Sequence, residues 1–196
     1  MFTEKTIDRK TIFEGRVFKV LLDTVELVSG KLARRELVIH NGGACVVAID
    51  EYEQVYFVRQ YRKPFEQMLL EVPAGKLEQD EAPQLCATRE LTEETGWIAN
   101  TIIPLGKMYP TPGYCSEILH LYLALDLDKG VARPDEGEYL DIVSMPFSEA
   151  LNMVDRNEIQ DAKTQLALIK ARRYLDSIDW KPGPIEKDHP AAREED

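Results

Sequence analysis

Along most of this chain the apolar positions alternate or run in short blocks, and a helical period replaces them in only a few places. Residues 1–40 read as strands. Val17 to Leu27 is rich in Val, Leu and Thr, Ser29-Gly30 signals a turn, and Arg34 to His40 alternates well enough to return as a hairpin partner. Gly42-Gly43 marks the entry to a core: Ala44 to Ile49 is a short apolar run, Gln54 to Tyr61 a β-rich one across a polar turn, and Leu69 to Val72 a buried-strand candidate ending at Pro73. Strand character resumes over Ile102–Met108, Ile118–Leu125 and Tyr139–Met145. The loop YPTPGYCSE separates the first two of these, and a turn-prone stretch from Leu127 to Pro134 precedes the third. Ser148 is placed to cap a short helix reaching about Arg156. Asp161 is placed to cap a longer one in which Leu168, Ala171, Leu175 and Ile178 share a face. The final segment, WKPGPIEKDHPAAREED, combines prolines with many charges and is expected to be a mobile tail.

The stretch that breaks the β pattern is Gly75–Trp97, GKLEQDEAPQLCATRELTEETGW. From about Glu81 to Thr95 it lacks β-branched runs and is rich in Glu, Leu, Ala, Gln and Arg, which predicts a helix stopped by Gly96. Glu90, Glu93 and Glu94 fall within roughly a 100° arc of that helix, beside an arc holding Ala87, Leu91 and Thr95. Carboxylates at these spacings repel, and Arg89 is one cation against three. One outcome is a solvated acidic face. The other is a hard divalent cation with oxygen ligands, of the kind that shares itself between carboxylates and substrate phosphates.

The spacing decides between them. Gly75, Glu81, Arg89-Glu90-Leu91, Glu93-Glu94, Gly96 and apolar Trp97 resemble the Nudix box at every specified position, with Trp97 a mild departure from the usual aliphatic residue. The resemblance implies an α+β fold, an α/β/α Nudix sandwich with a mixed central sheet, preceded by a small N-terminal antiparallel β-sheet. It also implies Mg²⁺-dependent hydrolysis, Mn²⁺ substituting, with metals held by Glu90, Glu94, Glu93 and the carbonyl of Ala74. Gly75, Glu81, Arg89 and Gly96 are then structural, Glu81 and Arg89 pairing to fix loop to helix. The domain reading is residues 1–41 as the β-sheet element that dimerises, 42–178 as the Nudix domain and 179–196 as the tail.

Outside the box, Pro112, fifteen residues beyond Trp97, the N-terminal strands, Arg34-Arg35-Glu36 and VRQYRKP at 58–64 resemble the ADP-ribose pyrophosphatase subgroup. That likeness implies cleavage of ADP-ribose to AMP and ribose 5-phosphate by a homodimer. Another nucleoside diphosphate sugar such as GDP-mannose, a dinucleoside polyphosphate, or a non-catalytic ADP-ribose sensor are the alternatives. Arg35, Arg34 and Arg62, with Arg59 and Lys63 behind them, are candidate diphosphate contacts because guanidinium forks match phosphate oxygens. By resemblance Glu117 contacts the terminal ribose. A metal-activated water needs a proton acceptor. Glu136, before the last strand, matches that base, with Glu93 as a further catalytic carboxylate and Glu138 as a further metal ligand.

Composition narrows the setting. A net charge of −11 repels phosphate backbones at long range, which argues against nonspecific nucleic-acid and anionic-membrane partners. Cys45, Cys86 and Cys115 show no metal or disulfide spacing, and the N-terminus has no hydrophobic leader, so free thiols in a reducing cytoplasm are expected. His40 and His120 have no partner spacing and are read as packing or hydrogen-bonding residues.

Overall fold

A computed structural model of the chain describes residues 2–135 and 137–183. It divides into two compact units, Met1–Gly42 with Met108–Leu119, and Gly43–Lys107 with His120–Asp196.

The first unit is an antiparallel sheet in the order β1 (Lys5–Glu14), β2 (Phe18–Glu26), β3 (Leu32–His40). Its first strand extends the expected hairpin. Alternation along β2 buries Leu21, Asp23 and Val25. The buried Asp23 carboxylate is met from β1 by Arg9 Nε and Nη2 at 2.8 and 2.7 Å, so it is not left unpaired. The 108–119 segment is fastened to β3, where Val38 donates to Tyr114 O and accepts from Ser116 N–H.

The second unit is built on a seven-stranded mixed sheet. Its strands are β4 (Gly43–Ile49), β5 (Gln54–Arg62), β6 (Gln67–Glu71), β7 (Ala74–Lys76), β8 (Trp97–Met108), β9 (Leu119–Lys129) and β10 (Leu140–Pro146). The order is β10-β5-β4-β9-β8, with β6 on β5 and β7 on β4. Three helices complete it: α1 (Pro83–Thr95), α2 (Phe147–Asp155) and α3 (Ala162–Ser177). All seven residues of β4 are buried, because both its faces are covered. Ala44, Val46 and Ala48 pack with Cys86, Ala87 and Leu91 of α1. The alternate residues Cys45, Val47 and Ile49 point the other way, toward the face where α3 meets β4. A side chain such as Leu91, fully buried, contributes about 2 kcal/mol to this packing.

Three expectations are corrected. The acidic helix starts at Pro83, not Glu81; a proline at the first helical position holds Ala82 extended (φ −69°, ψ 136°), which leaves Glu81 in the preceding loop. Ser148 does not cap α2, which begins at Phe147 with no side-chain cap; the buried Phe147 ring and its N–H bond to Glu53 O set the entry instead. Trp180, assigned to the mobile tail, is buried and donates its N–H to Leu175 O at 3.0 Å. Asp161 does cap α3, accepting from Thr164 N–H at 3.0 Å. No helix among the described residues is long and apolar enough to cross a membrane.

Candidate active site

The α1 carboxylates differ in depth. Glu93 is 35% exposed and Glu90 13%, while Glu94 lies on the buried stripe with Cys86, Ala87, Leu91 and Thr95 and is 3% exposed. Gly96 ends the helix in the left-handed region at φ 77°, donating to Thr92 O. A Cβ at Gly96 would lie 2.6 Å from Ala132 N, so glycine is what lets the chain leaving β9 lie against the helix end. There Arg133 N–H donates to Glu93 O at 2.8 Å and Gly130 N–H to Gly96 O at 2.7 Å. Glu138, further along this loop, is close enough for its charge to be felt by Glu90 and Glu94.

Opposite the helix runs β7. A Cβ on Gly75 would fall 1.7 Å from Glu90 Oε1 and 2.0 Å from its Cδ; the absent side chain is the space that the Glu90 carboxylate occupies. One residue earlier, Ala74 N–H donates to Glu94 Oε2 at 3.1 Å. Arg89 binds Glu81 through Nε and Nη2 at 2.9 and 3.1 Å, tying the 77–82 loop to the helix. Its Nη1 reaches Glu90 Oε1 at 2.8 Å and Glu93 Oε2 at 2.9 Å. The Glu81 carboxyl is held down at about 2, first by that Arg89 bond.

Arg89 does not neutralise the deepest acid. Burial, then the neighbouring charges of Glu90 and Glu138, push the Glu94 carboxyl up to about 8. Burial raises Glu90 as well, with Arg89 opposing. Among the described residues no three acidic, imidazole or thiol side chains are grouped so that they alone could hold a metal ion. The donor set nevertheless suits a hard divalent cation: carboxylate oxygens gathered over a glycine-made recess, costly to ionise without one. Cys86 sits beneath, its thiol 3.7 and 3.5 Å from the carbonyls of Gly75 and Lys76 and pushed to about 12 by burial, which makes it a packing group and not a nucleophile.

The other candidates are distributed between the two units. Arg34, Arg35, Pro112 and Glu117 belong to the first. Arg34 is exposed, whereas Arg35 is engaged with Glu4 at 2.5 and 2.9 Å. Glu117 comes within 3.7 Å of His40 Nδ1, the nitrogen that accepts Gly42 N–H at 2.9 Å. In the second unit, Arg59 is exposed and Lys63 pairs with Glu66. Arg62, read as a phosphate contact, is held on Glu71 through Nε and Nη2 at 2.6 and 2.7 Å. Glu136 lies outside the described residues.

Sequence reasoning missed Glu71, Lys163 and Thr164. Glu71 is 1% exposed; burial pushes its carboxyl up, but Arg62 and Lys163 outweigh this and bring it to about 2. The available signal was a charged residue closing an otherwise apolar strand, LLEV.

Residues 39–168 match the family model described as the NUDIX domain. The chain is 42% identical over 170 residues to a protein of Bacillus methanolicus named methanol dehydrogenase activator, covering 86% of this chain and 92% of that one. It is 39% identical over 167 residues to an ADP-ribose pyrophosphatase of Bacillus subtilis (strain 168), covering 84% and 90%. A crystal structure described as an ADP compounds hydrolase superposes with a TM-score of 0.81 at 25% identity, covering 89% of this chain and 95% of the other.

Proposed function

The chain belongs to the NUDIX domain family, and from that premise we propose that it hydrolyses ADP-ribose to AMP and ribose 5-phosphate with Mg²⁺ as its cofactor. The observation that carries this reading is Glu94, a carboxyl buried beside Glu90 near the recess at Gly75, with no ion pair of its own among the described residues. The identity to the Bacillus subtilis enzyme supports the substrate.

Glu90, Glu94 and the Ala74 carbonyl would hold the cation, with Glu93 and Glu138 as further candidate ligands. When bound, Mg²⁺ draws charge from the diphosphate and lowers the pKa of the attacking water. Arg89 orients Glu90 and Glu93 through its Nη1, and Glu81 keeps Arg89 in place. The water oxygen bonds to one phosphorus, the bridging P–O bond breaks, and the water proton passes to the Glu136 carboxylate. The likeness to the ADP-ribose pyrophosphatases supports Arg34, Arg35, Glu117 and Pro112 as candidate substrate contacts.

We propose further that the protein is a cytoplasmic homodimer. The first unit exposes Ile7, Ile12, Phe13, Val17 and Phe18, apolar side chains that a second copy would cover. Sedimentation giving a monomer mass at micromolar concentration would remove the dimer.

Incubation with ADP-ribose, GDP-mannose and diadenosine polyphosphates in Mg²⁺, followed by product chromatography, tests the function. AMP and ribose 5-phosphate from ADP-ribose as the fastest reaction is expected. Faster cleavage of GDP-mannose would reassign the substrate, and tight binding of ADP-ribose with no cleavage of any compound would make the chain a sensor. In the same assay Glu136→Gln is expected to lower kcat by roughly 10²–10⁴-fold with little change in KM; an unchanged kcat removes Glu136 from the mechanism.

The higher identity to the methanol dehydrogenase activator favours a second reading, stimulation of an alcohol dehydrogenase. Adding the protein to such a dehydrogenase with its cofactor and finding no change in rate would dismiss it.

A further inference from the structure

Around buried Glu71 and Thr164 lies a polar set that the hydrolytic reading does not use. Glu71 takes both Arg62 nitrogens on one side and Lys163 Nζ on the other, and Lys163 also donates to Asp161 Oδ2 at 3.0 Å. Thr164, fully buried, donates its hydroxyl to the same Asp161 oxygen at 2.6 Å and accepts Val72 N–H at 2.9 Å across 92 positions of sequence. Two residues after Val72 comes Ala74, whose N–H holds Glu94; between them, Pro73 O accepts Val46 N–H at 3.0 Å. The N-terminus of α3 therefore grips the short backbone segment that carries Ala74 and, through the Ala74 N–H, holds Glu94 of α1.

Stability is a weak reason for such a set. Glu71 is buried, Lys163 and Asp161 are partly buried and Arg62 is 39% exposed; the two acids and two bases sum to zero charge, and the attraction on Glu71 roughly repays its desolvation, so an apolar filling of equal volume would hold the fold as well. What the set supplies that an apolar filling would not is direction: the Val72 N–H is fixed by a single hydroxyl, which is itself fixed by Asp161. Nor is Lys163 a free phosphate contact, since its side chain is 11% exposed and shared between Glu71 and Asp161.

We propose that Thr164 and Lys163 are positioning residues for the metal site, holding the Val72–Ala74 backbone so that Ala74 and Glu94 meet the cation in register. This inference rests on the site reading given above, and the test separates the two. Mn²⁺ binding to the full chain is measured by calorimetry for wild type, Thr164→Val, Thr164→Ser and Lys163→Met, alongside thermal unfolding in EDTA. Thr164→Val and Lys163→Met are expected to lower Mn²⁺ affinity by about 10–100-fold, the range for groups that orient metal ligands, and Thr164→Ser, which keeps the hydroxyl, to restore it. If Thr164→Val does not fold, Lys163→Met carries the comparison. Variants that melt earlier but bind Mn²⁺ as wild type does would show a merely structural clamp and overturn the proposal. Wild-type protein that takes up no Mn²⁺ would overturn the site reading itself, and this inference with it.

Discussion

Glu94→Gln is expected to leave a folded protein whose hydrolysis is slower by roughly 10³-fold, the scale of losing a charged group that supports transition-state charge. The amide keeps an oxygen for Ala74 N–H, so the local hydrogen bond survives and only the charge is lost. The same change should act in the opposite direction on the metal-free fold. Burial holds the Glu94 carboxyl at about 8, above its ordinary 4.5, so the folded chain binds this proton more tightly than the unfolded chain does. That contribution is full below about 4.5 and is lost as pH rises through about 8. In EDTA, wild type should therefore lose stability between pH 5 and 8, while Glu94→Gln should not. Melting curves at the two pH values, with turnover measured beside them, check both halves; a fully active variant with unaltered Mg²⁺ dependence would contradict the assignment.

Gly75→Ala is the second large effect. The new methyl would sit 1.7 Å from Glu90 Oε1, and a flexible carboxylate can escape where backbone cannot. Glu90 should swing off β7, leaving the fold nearly as stable as before and the cation short of a ligand. A misplacement of about 1 Å at a reacting centre costs on the order of 10²-fold in rate, and the weakened Mn²⁺ affinity should track it. Pairing this variant with Glu90→Gln tests the cause. If both act by removing the same ligand, the double variant is little worse than either single one; additive losses would mean that Gly75 serves something other than Glu90.

The parts of this site that were legible in the sequence are those set by local geometry. Glu90, Glu93 and Glu94 share an arc because a helix has a fixed period, and Gly96 stops it because glycine enters the left-handed region freely. Glu81 shows where this logic ends: composition placed it in the helix, but the constraint that Pro83 imposes on Ala82 keeps it in the loop, from which it reaches Arg89. Burial separated three carboxylates that spacing alone made equivalent, because only Glu94 shares the stripe that packs against the sheet. Arg62 looked like a phosphate fork because its partner Glu71 lies on the next strand, and Lys163 and Thr164 were invisible because their contacts cross 92 positions. Such contacts depend on which strand lies beside which, and hydrophobic pattern alone does not specify that order.

The claim at the centre of this account is that the α1 carboxylates form a site for a divalent cation. Titration of the full chain with Mn²⁺ in a calorimeter at pH 7, repeated in buffers of different ionisation enthalpy, tests it most directly. Saturable uptake accompanied by proton release is expected, because burial raises the Glu94 carboxyl and a bound cation would favour its ionised form. No heat of binding in any buffer, with or without a non-hydrolysable ADP-ribose analogue present, would contradict it.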